Sequence, residues 1–119
     1  MYLTWLQPKD VKQLNCDMSE QRLILEMQLG HALAVINTEQ KILGYALFER
    51  TGGIIYVTRL VSDYPRARLL LLNWFLQKQL PITVVKKHLS EDYISLLKEN
   101  GFKTTDNYLL QYMIKKDES

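Results

Sequence analysis

Residues Ile54 to Leu76 read IIYVTRLVSDYPRARLLLLNWFL. The first part is rich in β-branched and aromatic residues and predicts a strand from Ile54 to Ser62. After a short turn, Pro65 opens a helix that runs to Gln79, because its fixed φ suits the first helical position and its missing N–H costs nothing there. A strand feeding straight into a helix N-terminus is where many α/β proteins hold phosphate, since the first amides have no helical partner and the helix dipole is positive at that end. Arg66 and Arg68 stand in that first turn, which favours an anion; the run Leu69 to Leu72 opposes one. Arg66, Leu70, Asn73 and Gln77 follow one mostly polar line expected to face water, while Leu69, Leu72, Phe75 and Leu76 lie opposite and are expected on a sheet. Successive helical residues are about 100° apart, so four consecutive leucines cover more than one face. Leu70 or Leu71 is therefore expected to look away from the sheet, toward a partner chain or a filled-in cofactor cleft.

Upstream, Tyr2 to Leu6 reads as a short strand, and Pro8 ends it or opens a helix with Val11, Leu14 and Cys16 on its inner side. Asp17 or Ser19 caps the next helix, whose apolar face holds Leu23 and Met27, widened by Ile24, Leu25 and Leu29, and Gly30 closes it. From His31 the period changes to that of strands: His31 to Ile36, then Lys41 to Glu49 with Gly44 inside it, then Ile54 to Ser62, joined by short turns as an antiparallel meander. Downstream, Ile82 to Val85 fits a buried strand. Ser90 caps a helix with Tyr93, Ile94, Leu96 and Leu97 on its apolar side, and Gly101 ends it. Tyr108 to Ile114 is the last strand and Lys115 to Ser119 a frayed tail. The expected architecture is a single α/β domain over residues 1–119, order β-α-α-β-β-β-α-β-α-β, with a mixed, largely antiparallel sheet and helices on both faces.

Composition narrows the function classes. A chain of 119 residues with 47% hydrophobic and 24% charged residues supports one core. A net charge of +2 with scattered Lys and Arg gives no case for nucleic acid. The single Cys16 fits a reducing compartment and reads as a small buried apolar residue rather than a nucleophile. No basic segment followed by an apolar run marks a signal peptide, and no apolar stretch approaches the roughly 20 residues a bilayer needs, so a cytoplasmic location without membrane association is expected. His31 and His88 stand alone in sequence, and no metal site is expected.

The element order, with Leu60-Val61-Ser62-Asp63-Tyr64-Pro65-Arg66-Ala67-Arg68 and Leu96-Leu97-Lys98-Glu99-Asn100-Gly101-Phe102 at its two key junctions, resembles the GCN5-related N-acetyltransferase (GNAT) superfamily from Tyr2 to Ile114. The first stretch is similar to the strand and turn before that family's coenzyme A loop; the second is similar to its closing helix and Gly-Phe. The resemblance implies that acetyl-CoA pyrophosphate is cradled by Arg/Gln-x-x-Gly-x-Gly/Ala. The matching positions here are Arg66, Ala67, Arg68, Leu69, Leu70 and Leu71, so both glycines are leucine. Glycine lets backbone amides approach phosphate oxygens; Leu69 and Leu71 would crowd them. Leu60 and Val61 match the strand edge on which the thioester carbonyl would be polarised. The family's thiolate-protonating tyrosine is matched by Leu97, and the asparagine that starts that helix by Ser90. Its central-strand glutamate has no counterpart between Ile54 and Ser62.

Three catalytic candidates remain, Tyr93, Glu49 and His88. Tyr93 lies one turn before Leu97 but reads as core; Glu49 and Asp63 flank the strand and read as solvated turn charges. His88 reads as a turn histidine, because a base needs an oriented partner and the sequence identifies none. The expected function is a degenerate family member serving as a non-catalytic binding or regulatory module, as a homodimer or with a protein partner met through the helix at Pro65. The alternatives are a divergent acetyl-CoA-dependent N-acyltransferase using Arg66 and Arg68, and a binder of an apolar small molecule in the cleft.

Overall fold

The computed structural model describes residues 1–14 and 16–114; the tail expected at Lys115 to Ser119 lies outside the described residues. The elements are β1 (Tyr2–Trp5), a 3-10 segment (Pro8–Gln13), α1 (Glu20–Gln28), β2 (Ala32–Ile36), β3 (Ile42–Thr51), β4 (Ile54–Ser62), α2 (Pro65–Leu76), β5 (Ile82–Val85), a 3-10 turn (Lys86–His88), α3 (Glu91–Glu99), β6 (Lys103–Asp106) and β7 (Leu109–Tyr112). They build one seven-stranded sheet, order β1-β2-β3-β4-β5-β7-β6. Every pairing is antiparallel except β4 with β5. That exception follows from α2, which carries the chain back across the sheet before β5 begins.

Helices cover both faces. Leu33 and Val35 of β2 join Phe48, Val57, Leu71, Leu72, Phe75, Tyr93 and Leu97 in the core beneath α2 and α3. Ala32, Ala34 and Ile36 point the other way, to Val11, Leu23, Met27, Tyr45 and Leu47 beneath α1 and the 3-10 segment. Strand β2 is buried at every position for that reason, and its sequence shows a continuous apolar run instead of alternation.

Several elements differ from the sequence expectation. The Pro8 segment is a 3-10 helix, with Asp10 Oδ2 accepting from the Gln7 amide at 2.9 Å. Of the two possible caps of α1, Ser19 is the one used, its Oγ accepting from the Arg22 amide at 3.2 Å. Gly30, at φ +75, closes that helix as expected. Leu25 and Leu29 are exposed, whereas Glu26 is buried. Helix α2 stops at Leu76, short of Gln79, which adopts φ +54. An additional strand, β6, pairs with β7, and β7 itself is shorter than the expected run to Ile114. Strand β6 is Lys-Thr-Thr-Asp, exposed at all its positions, so it carries no apolar signal; its backbone pairing alone makes it a strand.

Candidate functional site

The site is set by where β4 and β5 part company. They pair only at Ile55↔Ile82, Tyr56↔Thr83 and Val57↔Val84. Above Val57, strand β4 bulges: Leu47 faces Arg59 and Phe48 faces Val57, so Thr58 is the extra residue, its Oγ1 donating to the Leu47 carbonyl at 3.2 Å. Strand β5 ends at Val85 and turns into Lys86–His88, while β4 continues to Ser62. The upper half of β4 is thus flanked by β3 on one side and by a notch on the other.

At the α2 edge of the notch the chain closes on itself. The Tyr64 amide donates to Ser62 Oγ at 3.1 Å, Pro65 has no amide hydrogen, and the Arg68 amide donates to the Tyr64 carbonyl at 3.0 Å. Among the described residues, the helix-start donors left unpaired are therefore those of Arg66 and Ala67. Ala67 is fully buried, and Arg66 is exposed. Arg68 turns inward. Its Nε donates to the Ser62 carbonyl at 2.8 Å, its Nη1 lies 3.8 Å from Asp92 Oδ2, and its guanidinium sits 5.9 Å from the centre of the Tyr93 ring. Tyr93 donates its hydroxyl to the Arg68 carbonyl at 3.0 Å, and burial pushes its phenol up. A cleft of about 260 Å³ between α2 and α3 is lined by Arg68 and Leu69 but also by the carboxylates of Asp92 and Glu99.

A second cleft, about 390 Å³, is lined by Cys16, Asp17, Tyr45, Arg59, Val61 and His88. Asp17 Oδ1 accepts from Arg59 Nη2 at 3.0 Å, and its Oδ2 lies 3.7 Å from His88 Nε2. The hydrogen bond from Arg59 holds the Asp17 carboxyl below the usual carboxylate range. Arg59 also donates from Nη1 to the Thr58 carbonyl at 3.0 Å, while its buried Nε has no hydrogen-bond partner among the described residues. Burial, followed by the neighbouring Cys16, pushes the Tyr45 phenol up. Tyr45 and Val61 also line an adjoining cleft that runs along Ser62 and Asp63 to Tyr64.

No protein-family model and no curated protein matches the sequence. Solved structures do match. PaiA N-acetyltransferase from Thermoplasma acidophilum, solved in complex with coenzyme A, aligns with a TM-score of 0.72 at 14% identity over 92% of this chain and 96% of that one. The loading GNATL domain of CurA from Lyngbya majuscula aligns with a TM-score of 0.74 at 11% identity, covering 95% and 97%. Ard1 from Thermoplasma volcanium aligns with a TM-score of 0.71 at 11% identity, covering 97% and 98%. The chain has the GNAT fold.

Within that fold the residues singled out in the sequence separate. Leu60 is buried beneath α2, whereas Val61 reaches the cleft. Of the two leucines expected to look outward, Leu71 is fully buried against the sheet and Leu70 is half-buried against the same core; Leu69, expected on the sheet, is 44% exposed. The register explains the swap: Ala67, Leu71, Leu72 and Phe75 form the packed stripe, and Leu69 falls outside it. Tyr93 is core, as read, and its hydroxyl bonds Arg68. Glu49 lines neither cleft and is paired across the sheet with Tyr56. Its carboxylate gathers with Glu26 and His31, ligand atoms within 4.8 Å of one another, a juxtaposition the sequence spacing did not predict. Glu26 is already spent there on Arg22 at 3.1 Å and His31 at 2.9 Å. His88 has the partner the sequence did not identify, Asp17, and Cys16 is half-buried, packed against the core beneath α1 while also lining the cleft. Arg59 was not singled out, and Asp17 only as a possible helix cap. They are 42 residues apart, and only the β4 bulge and the entry to α1 bring them together. Among the described residues no helix is long and apolar enough to cross a membrane.

Proposed function

We propose that this chain is a GNAT-fold binding or regulatory module whose acetyl-CoA site is degenerate and which does not catalyse acetyl transfer. The observation that carries this reading is the start of α2. The helix begins at Pro65, ahead of the positions that match the family's pyrophosphate loop, so amides that would cradle phosphate are absorbed into helical bonding. What is left is the pair of donors on Arg66 and Ala67. Arg66, which matches the Arg/Gln of the loop, is exposed, while Arg68, two positions on, is engaged with Ser62, Asp92 and the Tyr93 ring. Asp92 and Glu99 put carboxylates into the cleft beside Arg68 and Leu69, which disfavours an anion there. The residues present do not fit coenzyme A.

Calorimetric titration with acetyl-CoA tests this: no heat of binding is expected, and a micromolar Kd for the unmodified protein would overturn it. Partner contact through α2, as a homodimer or with another protein, falls to Tyr64 and Leu69, the exposed large apolar side chains at its start. A second reading, a divergent N-acyltransferase for amines, is favoured by the Asp17–His88 pair beside the β4 bulge. Release of coenzyme A from acetyl-CoA in the presence of an amine panel decides between the two. An apolar ligand is less well supported, because only Leu69 of the leucine run is exposed.

A further inference from the structure

We propose that the cleft between Asp17, Arg59 and His88 binds a free α-amino acid, its carboxylate on Arg59 and its ammonium on Asp17. This rests on the reading of the chain as a binding module and names the ligand of its cleft. A lone cation in a cleft would select an anion, and a lone carboxylate an amine. Here the two stand side by side at 3.0 Å, Arg59 with 16% and Asp17 with 60% of the side chain exposed. A zwitterion laid head to tail across that pair alternates the four charges, so each ligand group meets its opposite and adjoins no like charge.

Hydrogen-bonding capacity agrees. Arg59 uses one hydrogen of Nη1 on Thr58 and one of Nη2 on Asp17, leaving a second hydrogen on each for a carboxylate. Asp17 Oδ1 accepts from Arg59 and, at 3.9 Å, from Cys16 Sγ, which leaves Oδ2 as the oxygen for an ammonium. His88 Nε2, 3.7 Å from Oδ2, flanks the ammonium position. The volume of about 390 Å³ holds a molecule of amino-acid size, and Tyr45 and Val61 give its side chain an apolar wall. An ion pair that merely staples the α1 entry to β4 explains the 3.0 Å contact. It does not explain why a partly buried arginine faces a cleft with two donors unused among the described residues.

The test is a thermal-shift and proton NMR screen of the unliganded protein against the twenty L-amino acids at about 10 mM, where a site of millimolar affinity is filled. The best binder is then compared with its decarboxylated amine and its deaminated acid. At least one amino acid is expected to bind, and each single-charge analogue to bind about ten-fold more weakly. Asp17→Asn, at an exposed position, is expected to lower amino-acid affinity about ten-fold while leaving the acid analogue's affinity unchanged. An empty screen, or analogues that bind as well as the parent, overturns the proposal. So does an Asp17→Asn protein that changes in melting temperature but not in affinity, the mark of a structural staple. These failures leave the degenerate-site reading standing, whereas acetyl-CoA binding in the calorimeter removes that reading.

Discussion

Gly44 shows how a single missing Cβ fixes the top of β4. A Cβ there would lie 2.7 Å from Ser62 Cβ and 2.9 Å from its Oγ, across the Gly44↔Ser62 pairing. Ser62 cannot easily give way, because its hydroxyl donates to the Leu43 carbonyl at 2.7 Å and accepts from the Tyr64 amide. Gly44→Ala is expected to destabilise the fold by about 1–3 kcal/mol, read as a lower urea midpoint at unchanged slope. Ser62→Gly in the same chain should recover part of that loss, a coupling that a double-mutant cycle measures. Asp17 gives a residue-scale pH dependence. Its folded pKa lies below the ordinary 3.8 because of Arg59, so its contribution is present above that value and is lost as pH falls through the lower folded one. Acid titration of Asp17→Asn should therefore show a shallower loss of stability below about pH 3.8 than the parent.

At the scale of the element, α2 separates burial from sequence likeness. Leu69 and Leu71 are the same residue type two positions apart, yet one is 44% exposed and the other fully buried. Leu71→Ala is expected to cost about 2–5 kcal/mol and Leu69→Ala less than about 0.5 kcal/mol, measured by chemical denaturation. The contact between α3 and α2 rests partly on the Tyr93 hydroxyl, which donates to the Arg68 carbonyl. Tyr93→Phe keeps the ring in the core and removes that bond, with an expected loss of about 1 kcal/mol.

Across the whole molecule, both faces of the sheet bury a phenol near the site, Tyr45 on one and Tyr93 on the other. Burial raises both above the ordinary 10.0, so the unfolded chain ionises first as pH rises. Their contribution is complete below pH 10.0 and is lost as pH climbs toward the folded values. Alkaline unfolding followed by circular dichroism should begin above that point, and Tyr93→Phe should weaken its pH dependence.

The sequence by itself determined β4, β5 and the helix starts at Pro65 and Ser90, and it narrowed the cap of α1 to Asp17 or Ser19. Those features are local: apolar runs, caps and a proline are written in neighbouring residues. Tertiary structure alone decided that Lys103–Asp106 is a strand, because its signal is a hydrogen-bonding partner rather than a side-chain pattern. It alone decided which leucine of α2 faces out, since that depends on how the helix seats on the sheet. It also brought Asp17, Arg59 and His88 together from the α1 entry, the β4 bulge and the turn after β5. A cluster drawn from three distant segments leaves no spacing to read, because the folded sheet, and not the chain, sets the distances between its members.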